Sequence, residues 1–194
     1  MNLSRPLLLA SNSPRRKELL TGLGLDYIVR VKDVHEEFPA HLKRAEVAEY
    51  LASHKADAYF DDLQDEVVIT ADTIVCLGDK VLNKPQSHHE AAEMLRSLSG
   101  TSHEVITGVC LLTKETKHVF HDITRVHFKK LTQTEVDFYI NHYKPFDKAG
   151  AYGIQEWIGM IGIERIEGSY FNVVGLPVQK LYTHLVELGY LTVE

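Results

Sequence analysis

The sequence predicts an α/β fold built on a mixed sheet. Strand-like runs alternate with segments patterned at helical spacing, which favours strand-helix-strand passages, and two long β-rich runs follow each other across a short polar turn, as in a hairpin. A third observation bounds the size: 194 residues, 44% apolar and 25% charged, suffice for one packed core and are ordinary for a globular chain. Residues 1–194 are therefore read as one domain.

Taken in order, Pro6 to Ser11 reads as a short, fully buried strand, and Pro14 to Leu23 as a helix with Ser13 at its cap and Pro14 at its first position. A strand is expected at about Asp26 to Val31. Val47, Ala48, Leu51 and Ala58 recur at helical spacing through AEVAEYLASHKADAY. Glu66 to Leu77 turns strand-like around TADT, and GDKVLNKP brings the chain back. Ser87 with Glu90, and Thr132 with Glu135, have capping-box spacing and start helices ending near Gly100 and Tyr143. Between them, HEVITGVCLLT and KHVFHDITRVHFKKL form the hairpin across KET. The last helix begins at Pro177, with Leu181, Leu185 and Leu188 on one face.

Charge and special residues exclude several functions. A formal net charge of -6, from 21 Lys+Arg against 27 Asp+Glu, argues against a broad basic face for a nucleic acid polymer, so any anion site is local. No segment approaches the roughly 20 apolar residues of a membrane span, and a cytoplasmic location without membrane association is expected. Cys76 and Cys110 lie in β-branched runs and read as inert buried thiols. The 11 histidines match no zinc spacing and read as structural, mostly on solvated faces. P-loop, dinucleotide-binding, zincin and nucleophile-elbow motifs are absent from the sequence.

Two stretches carry the chemistry. In LLLASNSPRRKELL a buried strand runs into a helix start, where free backbone N–H groups and the dipole favour an anion. Arg15 and Arg16 add forked donors that match phosphate oxygens. Solvation of a helix's first turn is the competing reading of the same pair. In VVITADTIVCLGDKVLNKP, Asp72 interrupts a run patterned for burial, where a carboxylate is costly unless paired or bound to a cation. It is placed to hold a divalent metal or take a proton from water, although a strand-edge or turn role is also open. Thr73 offers a hydroxyl on the opposite face, and Lys84 and Lys55 add cations. Glu36 or Glu37 in a loop could complete a metal site with Asp72, or simply be solvated. Downstream, the glycine- and aromatic-rich KPFDKAGAYGIQEWIGMIGIERIEGSYFNVVGLPV contains Gln155, whose amide both donates and accepts and suits a base edge. A glycine-rich β connection with surface aromatics accounts for the same composition.

ASNSPRRKELL, ITADTIV, LNKP, LSGTSHEVITGV, DKAGAYGIQ and GSYFNVVGLP, in this order, resemble the Maf (septum formation inhibitor) family of nucleoside triphosphate pyrophosphatases across nearly the whole chain. The resemblance implies a two-lobed mixed-sheet fold similar to the inosine triphosphate pyrophosphatases, with an active-site cleft between lobes, and a homodimer. It also implies cleavage of a nucleoside triphosphate to monophosphate and pyrophosphate with Mg2+ or Mn2+. Carried onto this chain, Asp72 is the proton acceptor, Glu36 and Asp72 hold the metal, and Ser11, Arg15, Arg16, Lys55 and Lys84 grip the phosphates. Arg15, Thr73 and Gln155 are similar to the discriminating residues of the dTTP/UTP branch, whereas the 7-methyl-GTP branch tends to carry an aromatic, Gln and Glu there. The family commonly has Gly after this Gln, where this chain has Glu156 followed by Trp157. A different phosphohydrolase, a non-catalytic nucleotide-binding regulator of division, or a pyrophosphatase for another, modified nucleotide such as 7-methyl-GTP are the alternatives.

Overall fold

The computed structural model describes residues 1–193. The chain runs β1 (Asn2–Leu3), β2 (Leu7–Leu9), α1 (Pro14–Gly22), β3 (Tyr27–Val29), α2 (Ala45–Asp57), β4 (Val67–Leu77) and β5 (Lys80–Leu82). It continues through α3 (His88–Leu98), β6 (Ser102–Leu112), β7 (Lys117–Phe128), α4 (Gln133–Tyr143), α5 (Trp157–Gly162), β8 (Ile163–Glu167), α6 (Tyr170–Val174), α7 (Val178–Glu187) and β9 (Leu191–Thr192). The main sheet is mixed, in the order β3-β2-β4-β6-β7-β8. Parallel pairing joins β2 to β3 and β4, and the rest is antiparallel.

One feature of β4 decides where a ligand can enter. Its first part pairs with β2 as far as Leu9 opposite Ile69, and its last part pairs with β5 from Val75 onward. Between Ile69 and Val75 no strand among the described residues occupies that edge. The opposite edge of β4 stays paired with β6 throughout, so the strand holds straight across the gap.

Side-chain alternation sends the two faces of β4 to different cores. Val67, Ile69 and Ala71 pack with Leu20 of α1 and with Leu181 and Leu185 of α7. Val75, on the same face beyond the gap, joins Leu95 and Leu98 of α3, Tyr139 of α4 and Ile158 of α5. On the other face α2 lies over the sheet, with Ala52 and Ala56 against Val68 and Cys110, and Val47 and Ala48 against Ile74 and Ile106. Two lobes thus share β4, β6 and β7, in agreement with the expected architecture.

Most local signals match. Ser13, Ser87 and Thr132 cap α1, α3 and α4 through their hydroxyls, and Thr132 with Glu135 closes a full capping box. Other expectations change. The strand expected over Asp26 to Val31 shortens to β3, an edge strand with Ile28 exposed. Pro177 is the N-cap of α7 rather than its first residue, and Leu188 is its exposed C-cap while Leu181 and Leu185 are buried. The glycine-rich stretch after residue 147 is not simply a β connection: it folds into α5, β8 and α6. His103 departs from the solvated-face reading: it is 2% exposed, stacked edge-on between Phe128 and Tyr152, and bonded through Nε2 to the Tyr152 hydroxyl at 2.7 Å. Both cysteines are buried as expected, and burial pushes the Cys76 thiol up to about 11 and the Cys110 thiol up to about 12.

Close approach of α2 to β6 depends on Gly108, which lies opposite Asp72 in the ladder. A Cβ there would collide with the Ala48 carbonyl. Gly108→Ala is therefore expected to cost about 2 kcal/mol in urea denaturation, as overpacking of a tight contact does. Burial, with a small addition from His127, lowers the His103 pKa from 6.5 to about 4. The folded state therefore keeps His103 neutral while the unfolded chain takes up a proton, and stability should fall by roughly 3 kcal/mol as pH drops from 6.5 through 4. Denaturation curves for His103→Phe against pH should lose that slope.

Candidate active site

The gap in the β4 edge opens into a cleft of about 450 Å³ between the two lobes. Its lining includes Ser11, Arg15 and Arg16, Glu36 and Lys55, Asp72 and Thr73, Lys84 and Gln155, whereas Glu37, the other acidic candidate of the loop, does not line it. They come from β2's end, the first turn of α1, the loop before α2, the last turn of α2, mid-β4, the chain after β5 and the turn before α5.

Asp72 sits in the middle of the gap and is 8% exposed. Its charge is compensated by Lys55, whose ammonium donates to Asp72 Oδ1 at 2.6 Å and to Glu36 Oε1 at 2.7 Å. Lys84 donates to the other Glu36 oxygen at 3.0 Å. Burial opposes ionisation of Glu36, but the hydrogen bonds and charges of Lys55 and Lys84 outweigh it and bring its pKa down to about 2. Glu36 is therefore anionic across the neutral range. Lys55 and Lys84, expected from the resemblance as phosphate-binding cations, are thus engaged with carboxylates in the free protein. The two carboxylates supply hard oxygen donors, a set that suits a divalent cation completing its shell with phosphate oxygens and water. Among the described residues no cluster of three or more His, Cys, Asp or Glu could hold a metal unaided.

On the other face of β4, Arg16 is spread across the cleft wall. Nε donates to the Gly175 carbonyl at 2.8 Å, Nη2 to Thr73 Oγ1 at 3.1 Å and Nη1 to Ser11 Oγ at 3.4 Å. The carbonyl at the end of α6 and the two hydroxyls offset the repulsion from the dipole of α1. Burial pulls the Arg16 pKa down from the arginine value, with Asp72's charge countering and Arg15's adding. Thr73 is in turn fixed by the Thr107 hydroxyl at 2.9 Å, and Thr107 donates to the Asn172 carbonyl. Arg15 points across the mouth instead, to Asp147 Oδ2 at 2.9 Å.

The acidic and basic residues at 147 and 148 are a part of the site that sequence reasoning missed. Lys148 is 8% exposed and donates to Asp147 at 2.7 Å. The pair stands at the start of DKAGAYGIQ, so the signal was present as a charged couple ahead of a glycine turn. The Gly175 carbonyl carried no side-chain signal at all.

The sequence matches the Maf family, described as Maf-like protein, over residues 6–188. It is 55% identical over 184 residues to a dTTP/UTP pyrophosphatase of Bacteroides thetaiotaomicron, covering 94% of this chain and 95% of that protein. A dTTP/UTP pyrophosphatase of Flavobacterium psychrophilum is 50% identical over 181 residues, 93% of each chain. Among solved structures, the Staphylococcus aureus Ham1 protein is similar over 95% of this chain and 100% of its own, with a TM-score of 0.55 and 16% identity, a likeness of fold alone.

Lys55 and Asp72 form a pair whose side chains are 16% and 11% exposed. Removing one partner strands a mostly buried charge, so Lys55→Met should lose about 3 kcal/mol of stability. Adding Asp72→Asn should restore part of it, and a coupling of at least ~1 kcal/mol in the double-mutant cycle is the expected urea-denaturation result.

Proposed function

The chain belongs to the Maf family, and from that premise we propose that it hydrolyses dTTP and UTP to the nucleoside monophosphate and pyrophosphate. The observation that carries this reading is the meeting, in one cleft, of two carboxylates and four cationic side chains: Asp72 and Glu36 with Arg15, Arg16, Lys55 and Lys84. The names of relatives at about half identity over nearly the full chain supply the nucleotide class.

In this reading the triphosphate lies along the α1 side, with Arg15, Arg16 and the Ser11 hydroxyl on its phosphate oxygens. Water attacks the α-phosphorus, the bond to the α–β bridging oxygen breaks, and pyrophosphate leaves. Asp72 takes the proton from the attacking water. Lys55 engages Oδ1, so Oδ2 is the oxygen that receives it. The guanidinium and ammonium groups neutralise charge that develops on the equatorial and leaving oxygens. For Lys55 and Lys84 this requires turning from Glu36 toward phosphate. Glu36 and Asp72 would hold a divalent cation, Mg2+ or Mn2+, which when bound supplies further charge neutralisation along the triphosphate. Arg15, Thr73 and Gln155 face the nucleoside and set the preference among bases.

The same reading takes residues 1–194 as one catalytic domain, cytoplasmic and paired as a homodimer, with the nucleotide rather than a nucleic acid polymer as its partner. The net charge of -6 is consistent with the last point, and no helix among the described residues is long and apolar enough to cross a membrane.

A panel of nucleoside triphosphates with magnesium or manganese should give pyrophosphate and monophosphate from dTTP and UTP. Orthophosphate as the product would point to a different phosphohydrolase. Asp72→Asn should lower kcat by ~10²-fold or more while nucleotide still binds, the usual scale for a general base. Undiminished turnover in that variant would remove Asp72 from the mechanism.

A further inference from the structure

The turn that carries Gln155 is tied down by groups that the proposed reaction does not use. Lys148, besides donating to Asp147, pairs with Glu156 Oε1 at 3.1 Å. Glu156 also accepts from the Tyr139 hydroxyl, and that hydroxyl accepts from the Gly153 backbone N–H at 3.0 Å. Residues 153–156 are therefore gripped by α4 and by a buried ammonium. Glu156 is the N-cap residue of α5, yet its side chain makes no cap bond. Its carboxylate is committed to Lys148 and Tyr139 instead.

Gly153 leaves the space in which these groups converge. A Cβ there would lie 3.0 Å from Glu156 Cδ, 3.1 Å from Lys148 Cε and 3.2 Å from Gln155 Nε2. The amino end of the Gln155 side chain thus faces the same bare backbone position as the ion pair. Burial, reinforced by Glu156, raises the Tyr139 pKa, so the phenol remains a donor at every working pH.

Direction matters for an amide. Uracil and thymine present an N3–H donor beside a carbonyl acceptor, and cytosine presents the reverse, an acceptor beside an amino donor. A glutamine free to turn over serves both patterns, because its two ends are opposite in kind. One whose amino end is kept on the side of a carboxylate serves only one. Resting on the reading in which Gln155 meets the base, we propose that Lys148, Glu156 and Tyr139 are positioning residues that fix the Gln155 amide and make the site favour uracil and thymine over cytosine.

The test compares hydrolysis of UTP, dTTP and CTP by the full-length wild-type protein, Glu156→Gln and Tyr139→Phe, with magnesium present. Glutamine at 156 keeps the shape but offers one acceptor oxygen to two donors, and the phenylalanine deletes a single hydroxyl. The wild type should prefer UTP to CTP by about tenfold or more in kcat/KM. Both variants should lose most of that ratio through a higher KM for UTP, with kcat on UTP changed by less than about threefold. A ratio unchanged in Tyr139→Phe overturns the proposal, even if Glu156→Gln fails to fold. So does a kcat that falls equally for all three nucleotides, or a wild type without preference between UTP and CTP. A wild type that turns over no triphosphate overturns the pyrophosphatase reading itself and this proposal with it, a result visible before any variant is made.

Discussion

A carboxylate in the middle of a buried strand has to be compensated, and the compensation of Asp72 organises the cleft. Its charge is met by Lys55, which can reach it only because α2 lies close on the sheet, and α2 lies close because Gly108 has no side chain. Lys55 in turn fixes Glu36, and Glu36 fixes Lys84, so a loop and a hairpin return from different lobes are tied to one strand position. The missing strand on the β4 edge gives this network access to solvent. A neighbour paired through Ile69 to Val75 would have filled the space a ligand needs.

On the opposite face Arg16 is held by neutral groups, although Arg15 at the mouth is paired with Asp147. Arg16 is satisfied by a carbonyl and two hydroxyls, which leaves its charge largely uncompensated, whereas Lys55 and Lys84 are matched by carboxylates. The two sides of β4 therefore differ in electrostatic character: the wall at Arg16 carries a cation with no carboxylate partner, whereas the cations on the other side are each paired with one. An anionic chain lying against Arg16 would gain attraction that a flat basic surface in water does not provide, because the cleft is partly desolvated.

Much of this was legible in the sequence where the physics is local. Hydroxyl caps at Ser13, Ser87 and Thr132 mark helix starts because a side-chain oxygen three residues from a free N–H is a short-range fact. Asp72 stood out because an acidic residue breaks an apolar strand pattern, and Arg15 and Arg16 because they follow a strand at a helix start. Other features were hidden because they join distant segments. The bond from Arg16 to the Gly175 carbonyl and that from Arg15 to Asp147 span more than a hundred residues and leave no periodic trace. The engagement of Lys55 with Glu36 and Asp72 likewise depends on tertiary distances that spacing does not encode. Short elements such as α5, α6 and β8 were missed because glycines and aromatics mask a pattern of five or six residues.

Cys76 and Cys110 point the same way, beneath α2, on the face of the sheet away from the arginines. Each is sealed from solvent and holds its proton far above neutral pH, so the native chain is inert to thiol reagents. A reagent can reach either sulfur only when α2 lifts from the strands. The rate of alkylation thus becomes a clock for that opening, and a bound nucleotide that steadied Lys55 would slow it.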